Sequence, residues 1–245
     1  GRLRTALILS EQRRPALVMS GDIKQLFARQ PLIRVLDEDT IDELSGFSHF
    51  QRFPPGTILF REGDLPSLLF IVADGFVAAR RLVAGMPSTA SVSGSGAVMP
   101  LGSIVSDWAC VLTVEVMDHS QIFMVPAASI RSLAETNPPF AFAVSVELAT
   151  GYRQLINDAT LHKTAQSTER LVHWLLSHAD EDGRVNLPFS RGELASLLGM
   201  STESMSRNLQ ALSRQGLEVS RAELRVRDRA ALALALARQP LSATA

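Results

Sequence analysis

Cysteine is nearly absent from this 245-residue chain, in which Cys110 stands alone. A single thiol excludes an intramolecular disulfide, a Cys-rich zinc site and an iron–sulfur cluster held by the chain's own cysteines. It also fits a reducing compartment. Long apolar runs are lacking as well. The best stretch, Leu68 to Ala79, is broken by Asp74 and Gly75, short of the ~18–20 residues that cross a bilayer. Behind Arg2 and Arg4, the run from Thr5 to Ser10 is shorter than the ~7–15-residue core of a signal peptide. A cytoplasmic protein without membrane contact is therefore expected. Neither sign of charge dominates: 24 Lys and Arg face 25 Asp and Glu, for a net charge of −1. That excludes a polycation that coats nucleic acid without selection. Residues 161–245 are only slightly basic, with 11 basic against 9 acidic side chains. No Gly-x-Ser-x-Gly elbow, His-Glu-x-x-His pair or phosphate loop is present. The nearest approach to a cupin-like metal set is His119 with Glu115 or Asp118, at poor spacing. No catalytic or metal-ligating residue is assigned, and an enzyme is not expected.

What the chain has is 46% hydrophobic residues, enough for a sizeable core, arranged in four textures. Residues 1–34 are mixed and read as an N-terminal extension, with Ile23, Leu26 and Phe27 at helical spacing. Residues 35–137 open with a capped acidic helix over 37–45. Short apolar runs then alternate with turn residues: Thr57–Phe60, Leu68–Ala73, Val77–Val83, Ala109–Met117 and Gln121–Val125. The breaks fall at Pro54-Pro55-Gly56, Glu62-Gly63-Asp64, Asp74-Gly75, Gly85-Met86-Pro87 and Met99-Pro100-Leu101-Gly102. Short strands with regular turn signals predict an antiparallel β-roll or jelly roll. Residues 138–162 predict a long helix. Val144, Leu148, Gly151 and Leu155 repeat at steps of four, three and four, a heptad-like seam suited to packing on the chain's own β-domain or to pairing two copies. Residues 163–245 begin with a helix over 164–179 carrying Leu171, Trp174 and Leu175, then a short strand at 185–187. The fold class is α+β.

Residues 189–215 carry the strongest signal. Ser190 and Glu193 form a capping box, and Phe189 and Leu194 stand at hydrophobic-staple positions. Leu194, Leu197 and Leu198 give a short helix its buried face, and Gly199 ends it. A second helix starts near Ser201 or Thr202. Met205, Leu209 and Leu212 line one face, while Glu203, Ser206, Arg207 and Gln210 line the other. Small Ala195 lets the two helices approach. This is a helix-turn-helix. The alternating stretch from Leu217 to Arg227, turning at Ala222-Glu223, adds a wing with Arg221, Arg225 and Arg227. A recognition helix places such a polar stripe on base edges: Arg207 suits guanine, Glu203 cytosine, and Ser206 thymine or a hydrogen bond. Ser201, Thr202, Gln210 and Arg191 frame the stripe as further DNA-binding candidates.

The order of β-roll, long helix and winged helix-turn-helix over roughly residues 35–235 resembles the CRP/FNR family of bacterial transcription regulators. Pro55-Gly56-Thr57, Gly63-Asp64 and Gly75 resemble its turn glycines. Gly199-Met-Ser-Thr-Glu-Ser-Met-Ser-Arg207 resembles its recognition helix, and Asp228-Arg-Ala-Ala-Leu232 the segment after the wing. Asn208 departs from the pattern, standing where many members carry an apolar residue. The resemblance implies a homodimer on double-stranded DNA, with Val144, Leu148, Gly151 and Leu155 at the dimer interface. It further implies contact with RNA polymerase in an activator. The spacing of Glu203, Ser206 and Arg207 is typical of the FNR-like branch and implies a TTGAT half-site in an inverted repeat with ATCAA. Thr202, where the cyclic-AMP branch usually has Arg, argues against TGTGA.

The same resemblance bears on the effector. Members that bind cyclic nucleotides carry a Gly-Glu pair and an Arg-Ser or Arg-Thr, but residues 94–110 contain neither Glu nor Arg. A buried cyclic phosphate would lack its charge partner, so cyclic AMP is not expected. Haem has a residue basis in His49, His119, His162, His173 and His178, and a haem-dependent gas sensor is one alternative. Another is a β-roll ligand-binding module whose winged helix binds protein. Cys110, inside Trp108-Ala-Cys-Val-Leu112, reads as an inert core thiol, with redox sensing as the sharper alternative.

Overall fold

A computed structural model describes residues 20–83, 85–185, 187, 189–220 and 224–237. Arg221 and the wing turn at Ala222-Glu223, like residues 1–19, lie outside the described residues.

Among the described residues two short helices come first: α1 (Ser20–Ala28) and α2 (Glu38–Phe47). Asp37 caps α2, its side chain accepting the Thr40 N–H at 2.8 Å. The boundary expected at residue 34 falls inside one packed unit. Phe27, Leu32 and Ile33 are buried with Leu69, Ile71 and Phe123 of the sheet that follows.

The β-roll consists of β1 (His49–Phe53), β2 (Ile58–Phe60), β3 (Leu68–Asp74), β4 (Val77–Val83), β5 (Met86–Ser93), β6 (Val98–Met99), β7 (Thr113–Val116) and β8 (Ser120–Pro126). They form two four-stranded antiparallel sheets, in the orders β1-β8-β3-β6 and β2-β7-β4-β5. β3 reads as a continuous apolar run because both of its faces are covered. β8 is buried in the same way along most of its length.

Three expectations change here. The break expected at Gly85-Met86-Pro87 is confined to its start: Gly85 (φ +79) lies in the turn after β4, while Met86 and Pro87 already pair with Val83 and Leu82. Only Thr113–Val116 of the run 109–117 is strand. Cys110 sits before it in a loop, tied by its N–H to the Asp64 carbonyl. Two further helices, α3 (Leu101–Ser106) and α4 (Ala127–Thr136), bury Leu101, Ile104, Ala127 and Ile130.

The long helix α5 spans Pro138–Thr164, with Asn137 accepting the Phe140 N–H at 3.0 Å. At 27 residues it is ~40 Å long. Its first turns lie on the β-roll through Phe140 and Val144, and residues 148–160 are all exposed.

The C-terminal unit has its own core, centred on Leu171, Leu175, Leu194, Met205 and Leu209. It comprises α6 (Ser167–His178), β9 (Arg184–Val185), α7 (Arg191–Leu197), α8 (Thr202–Leu212), β10 (Leu217–Val219), β11 (Leu224–Val226) and α9 (Arg229–Ala237). The wing is a three-stranded sheet in the order β10-β11-β9. None of the described helices is long and apolar enough to cross a membrane.

Candidate nucleic-acid interface and effector cavity

The start of α7 follows from two local devices. Ser190 Oγ accepts the Glu193 N–H at 3.2 Å, and Glu193 Oε2 accepts the Ser190 N–H at 2.9 Å. Phe189 packs in the core with Leu194. Gly199 has φ +61, a left-handed turn that a side chain strains. It re-aims the chain so that α8 begins three residues later. Ser201 caps α8, accepting the Ser204 N–H at 3.2 Å.

Burial then divides α8 along its length. Met205, Leu209 and Leu212 are each under 5% exposed. Glu203, Ser206, Arg207 and Gln210 are all exposed, with Ser201 and Thr202 at the N-terminal end of the same stripe. The helix therefore presents one fork-shaped cation, one carboxylate, a hydroxyl and an amide in a row. The Arg207 guanidinium donates to Ser204 Oγ at 3.2 Å. The Glu203 carboxyl receives hydrogen bonds from its own backbone N–H and from Ser201, with the Arg207 charge nearby, and is held below the usual carboxylate range. At neutral pH it is an acceptor only.

Other residues hold the stripe in place. Asn208 is half-buried: its amide donates to Ser167 Oγ at 3.2 Å, and its carbonyl accepts from Thr168 Oγ1 at 3.0 Å. Its polarity thus serves to pin α8 to the start of α6. Arg170 donates to the carbonyls of Leu198, Gly199 and Ala165 at 2.8, 3.2 and 2.7 Å, clamping the turn between the reading helices. Arg170 leaves no pattern in the sequence, because its targets are backbone carbonyls. The Arg191 guanidinium donates to the Ser220 carbonyl, joining α7 to the wing. Arg225 and Arg227 are engaged with the Asp182 carbonyl and Glu218.

The four residues of the long-helix seam divide between two environments. Val144 is 6% exposed and belongs to the chain's own core, so it is not a surface residue available for pairing. Leu148, Gly151 and Leu155 are exposed, as are Phe142, Val146, Tyr152 and Ile156.

A cavity of about 520 Å³ lies between the β-roll and this helix. Phe60, Val77, Ala79, Ser93, Leu112 and Val114 are among the roll residues lining it, and Glu147, Leu148 and Tyr152 reach it from α5. Among the described residues its lining holds no Lys, Arg or His. Cys110 borders it at 2% exposure, and burial pushes its thiol up from the ordinary value. His162, His173 and His178 line a separate cavity of about 370 Å³ with Arg170 and Trp174. His49 and His119 are exposed on the roll. Among the described residues, no group of three or more His, Cys, Asp or Glu is placed to hold a metal.

Two family models match this arrangement. A cyclic nucleotide-binding domain covers residues 50–137, and a Crp-like helix-turn-helix domain covers residues 169–235. The chain is 25% identical over 190 residues to the cyclic AMP receptor protein of Thermus thermophilus, covering 76% of this chain and 87% of that protein. It is 26% identical over 200 residues to the CRP-like protein Clp of Xanthomonas axonopodis pv. citri, covering 74% and 85%. In three dimensions it resembles FixK2 from Bradyrhizobium japonicum, with a TM-score of 0.70 at 22% identity over 76% of this chain and 96% of that one.

Proposed function

The chain belongs to the CRP/FNR family of transcription regulators, which are not enzymes, and from that premise we propose that it is a homodimeric activator reading an inverted repeat of TTGAT-like half-sites. One observation carries the reading: a recognition helix whose only exposed cation, Arg207, stands beside an ionised Glu203 and the Ser206 hydroxyl, with none of the described residues covering the stripe. Arg207 donates two hydrogen bonds to guanine O6 and N7, and Glu203 accepts from cytosine N4. Ser201, Thr202, Gln210 and Arg191 frame the contact. Leu148, Gly151 and Leu155 pair two copies along α5, setting the two recognition helices about one turn of DNA apart.

The effector is a molecule without an anionic group, held between the β-roll and α5. A cavity whose described lining is largely apolar, with one carboxylate, Glu147, and no cation, repels a phosphate rather than binding it. The relative from Thermus thermophilus is named for cyclic AMP; a different ligand is proposed here. Haem is a second reading, favoured by the three histidines that share one cavity. A Soret band on titration with haemin, lost in His162→Ala, would carry it.

The DNA reading is tested by fluorescence anisotropy with a TTGAT/ATCAA duplex, a TGTGA/TCACA duplex and a scrambled duplex, over a salt series. Site-selective binding is expected for the wild type. Arg207→Ala is expected to lose about 1–3 kcal/mol of discrimination per half-site while keeping its fold. Selectivity retained in that variant refutes the assignment.

A further inference from the structure

Contacts between the β-roll and the helix-turn-helix join residues that lie far apart in sequence. Arg80, on β4, donates through Nη1 to Glu115 Oε2 of β7 and through Nη2 to Glu193 Oε1 of α7, both at 2.7 Å. Glu193 is the residue that closes the α7 capping box with its other oxygen. One carboxylate therefore holds the first helix of the reading unit and the sensor domain together. Opposite Arg80 on β5 stands Thr89, whose N–H donates to Ser196 Oγ of α7 at 3.2 Å.

The sheet changes allegiance at this point. The β4–β5 register shifts between Ala79 and Arg80: Arg80 pairs with Thr89, whereas Ala79 pairs with Ser91 and Val77 with Ser93. The latter four residues line the effector cavity, and the Arg80/Thr89 pair grips α7. A β-bulge bends the strand and increases its twist, and this one lies between the cavity-lining pairs and the pair that contacts α7. The Arg80 side chain is 24% exposed, and its Nε is buried without a hydrogen-bond partner among the described residues. The partly buried guanidinium is held by both carboxylates and by Met117 Sδ at 3.2 Å, and losing one carboxylate leaves a less compensated charge.

We propose that Arg80 is the positioning residue that couples the cavity to DNA reading, by fixing α7, and with it the recognition helix, on the β4–β5 hairpin. The inference rests on the DNA reading above but not on which molecule fills the cavity.

The full-length protein is compared with Arg80→Gln, Arg80→Lys and Ser196→Ala in two measurements. The first is hydrogen exchange, which needs no DNA. Arg80→Gln is expected to speed exchange about ten-fold in residues 86–93 and 191–198 together, with β3 and β8 unchanged. Ser196→Ala, which removes only a hydroxyl, gives a smaller change in the same peptides, so the result survives if Arg80→Gln folds poorly. Unchanged exchange in both overturns the proposal. The second measurement fills the cavity with Ser93→Phe, or Leu112→Phe if the first is unstable, and reads site-specific DNA affinity. In the wild-type background the filled cavity shifts affinity about ten-fold in either direction. In Arg80→Gln the shift is abolished, and in Arg80→Lys, which keeps the charge, part of it returns. An equal shift in both backgrounds, or none in either, overturns the coupling. If the wild type binds specific and scrambled duplexes alike, it is the DNA reading that fails, and hydrogen exchange alone then decides the interdomain contact.

Discussion

Asn208 shows how one side chain can replace an apolar contact with a geometric one. A leucine at this site would add burial; the amide instead meets Ser167 and Thr168 with correct donor and acceptor polarity, which fixes the rotation of α8 about its own axis. Two partly buried hydrogen bonds at about 0.5–1.5 kcal/mol each set the scale. Asn208→Ala is expected to destabilise the C-terminal unit by roughly 1–2 kcal/mol in urea unfolding followed by Trp174 fluorescence, and a loss near zero contradicts the pinning role. Cys110 gives a residue-level prediction of a different kind. Folding favours its neutral thiol, because burial pushes the pKa up. The corresponding stability is fully present below the unfolded thiol value of about 8.5 and is lost as pH rises through the folded one. At neutral pH the native protein should therefore react with a disulfide reagent only as fast as it opens, and complete reaction on mixing would restore the redox-sensing alternative.

Among the elements, the turn between α7 and α8 is the most exacting. A Cβ on Gly199 would stand 3.2 Å from the His162 ring, on a backbone with φ +61. Gly199→Ala should cost about 1–2 kcal/mol through the left-handed backbone alone, with a further change in the aim of α8 that lowers DNA selectivity. Wild-type stability and selectivity in this variant would show that the turn has room to relax. This element was legible from sequence because each of its signals, the capping box, the staple and the glycine, acts within about five residues. The polar stripe was legible for the same reason, since one helix carries all of it. β5 was not. Its Ser-Thr-Ala-Ser composition has little propensity of its own, and the hairpin with β4 makes it a strand. Cys110 reads as part of a strand because the apolar run around it is continuous, yet its backbone bonds the loop at Gly63 and Asp64. Arg80 and Glu193 are 113 positions apart, a pairing that no local pattern in one sequence reveals.

For the whole molecule, α5 decides whether two reading units act as one. Val144 and Leu155 belong to the same sequence repeat, but Val144 is 6% exposed and Leu155 is 66% exposed, so the two positions answer different questions. A charge at Val144 enters the chain's own core, and Val144→Glu is expected to unfold the β-roll unit. A charge at Leu155 meets only what covers α5 from outside. If that cover is the same helix of a second copy, Leu155→Glu loses apolar burial on both sides and faces its own like charge across the two-fold axis. Each protomer should stay folded while the dimer separates in sedimentation at micromolar concentration. DNA affinity should fall with it, because the second half-site is no longer held at the high effective concentration of a linked partner, a loss on the order of 10²–10⁴-fold. A Leu155→Glu protein that remains dimeric would place the pairing surface elsewhere. One that is monomeric but binds the full inverted repeat undiminished would remove the link between dimerisation and reading.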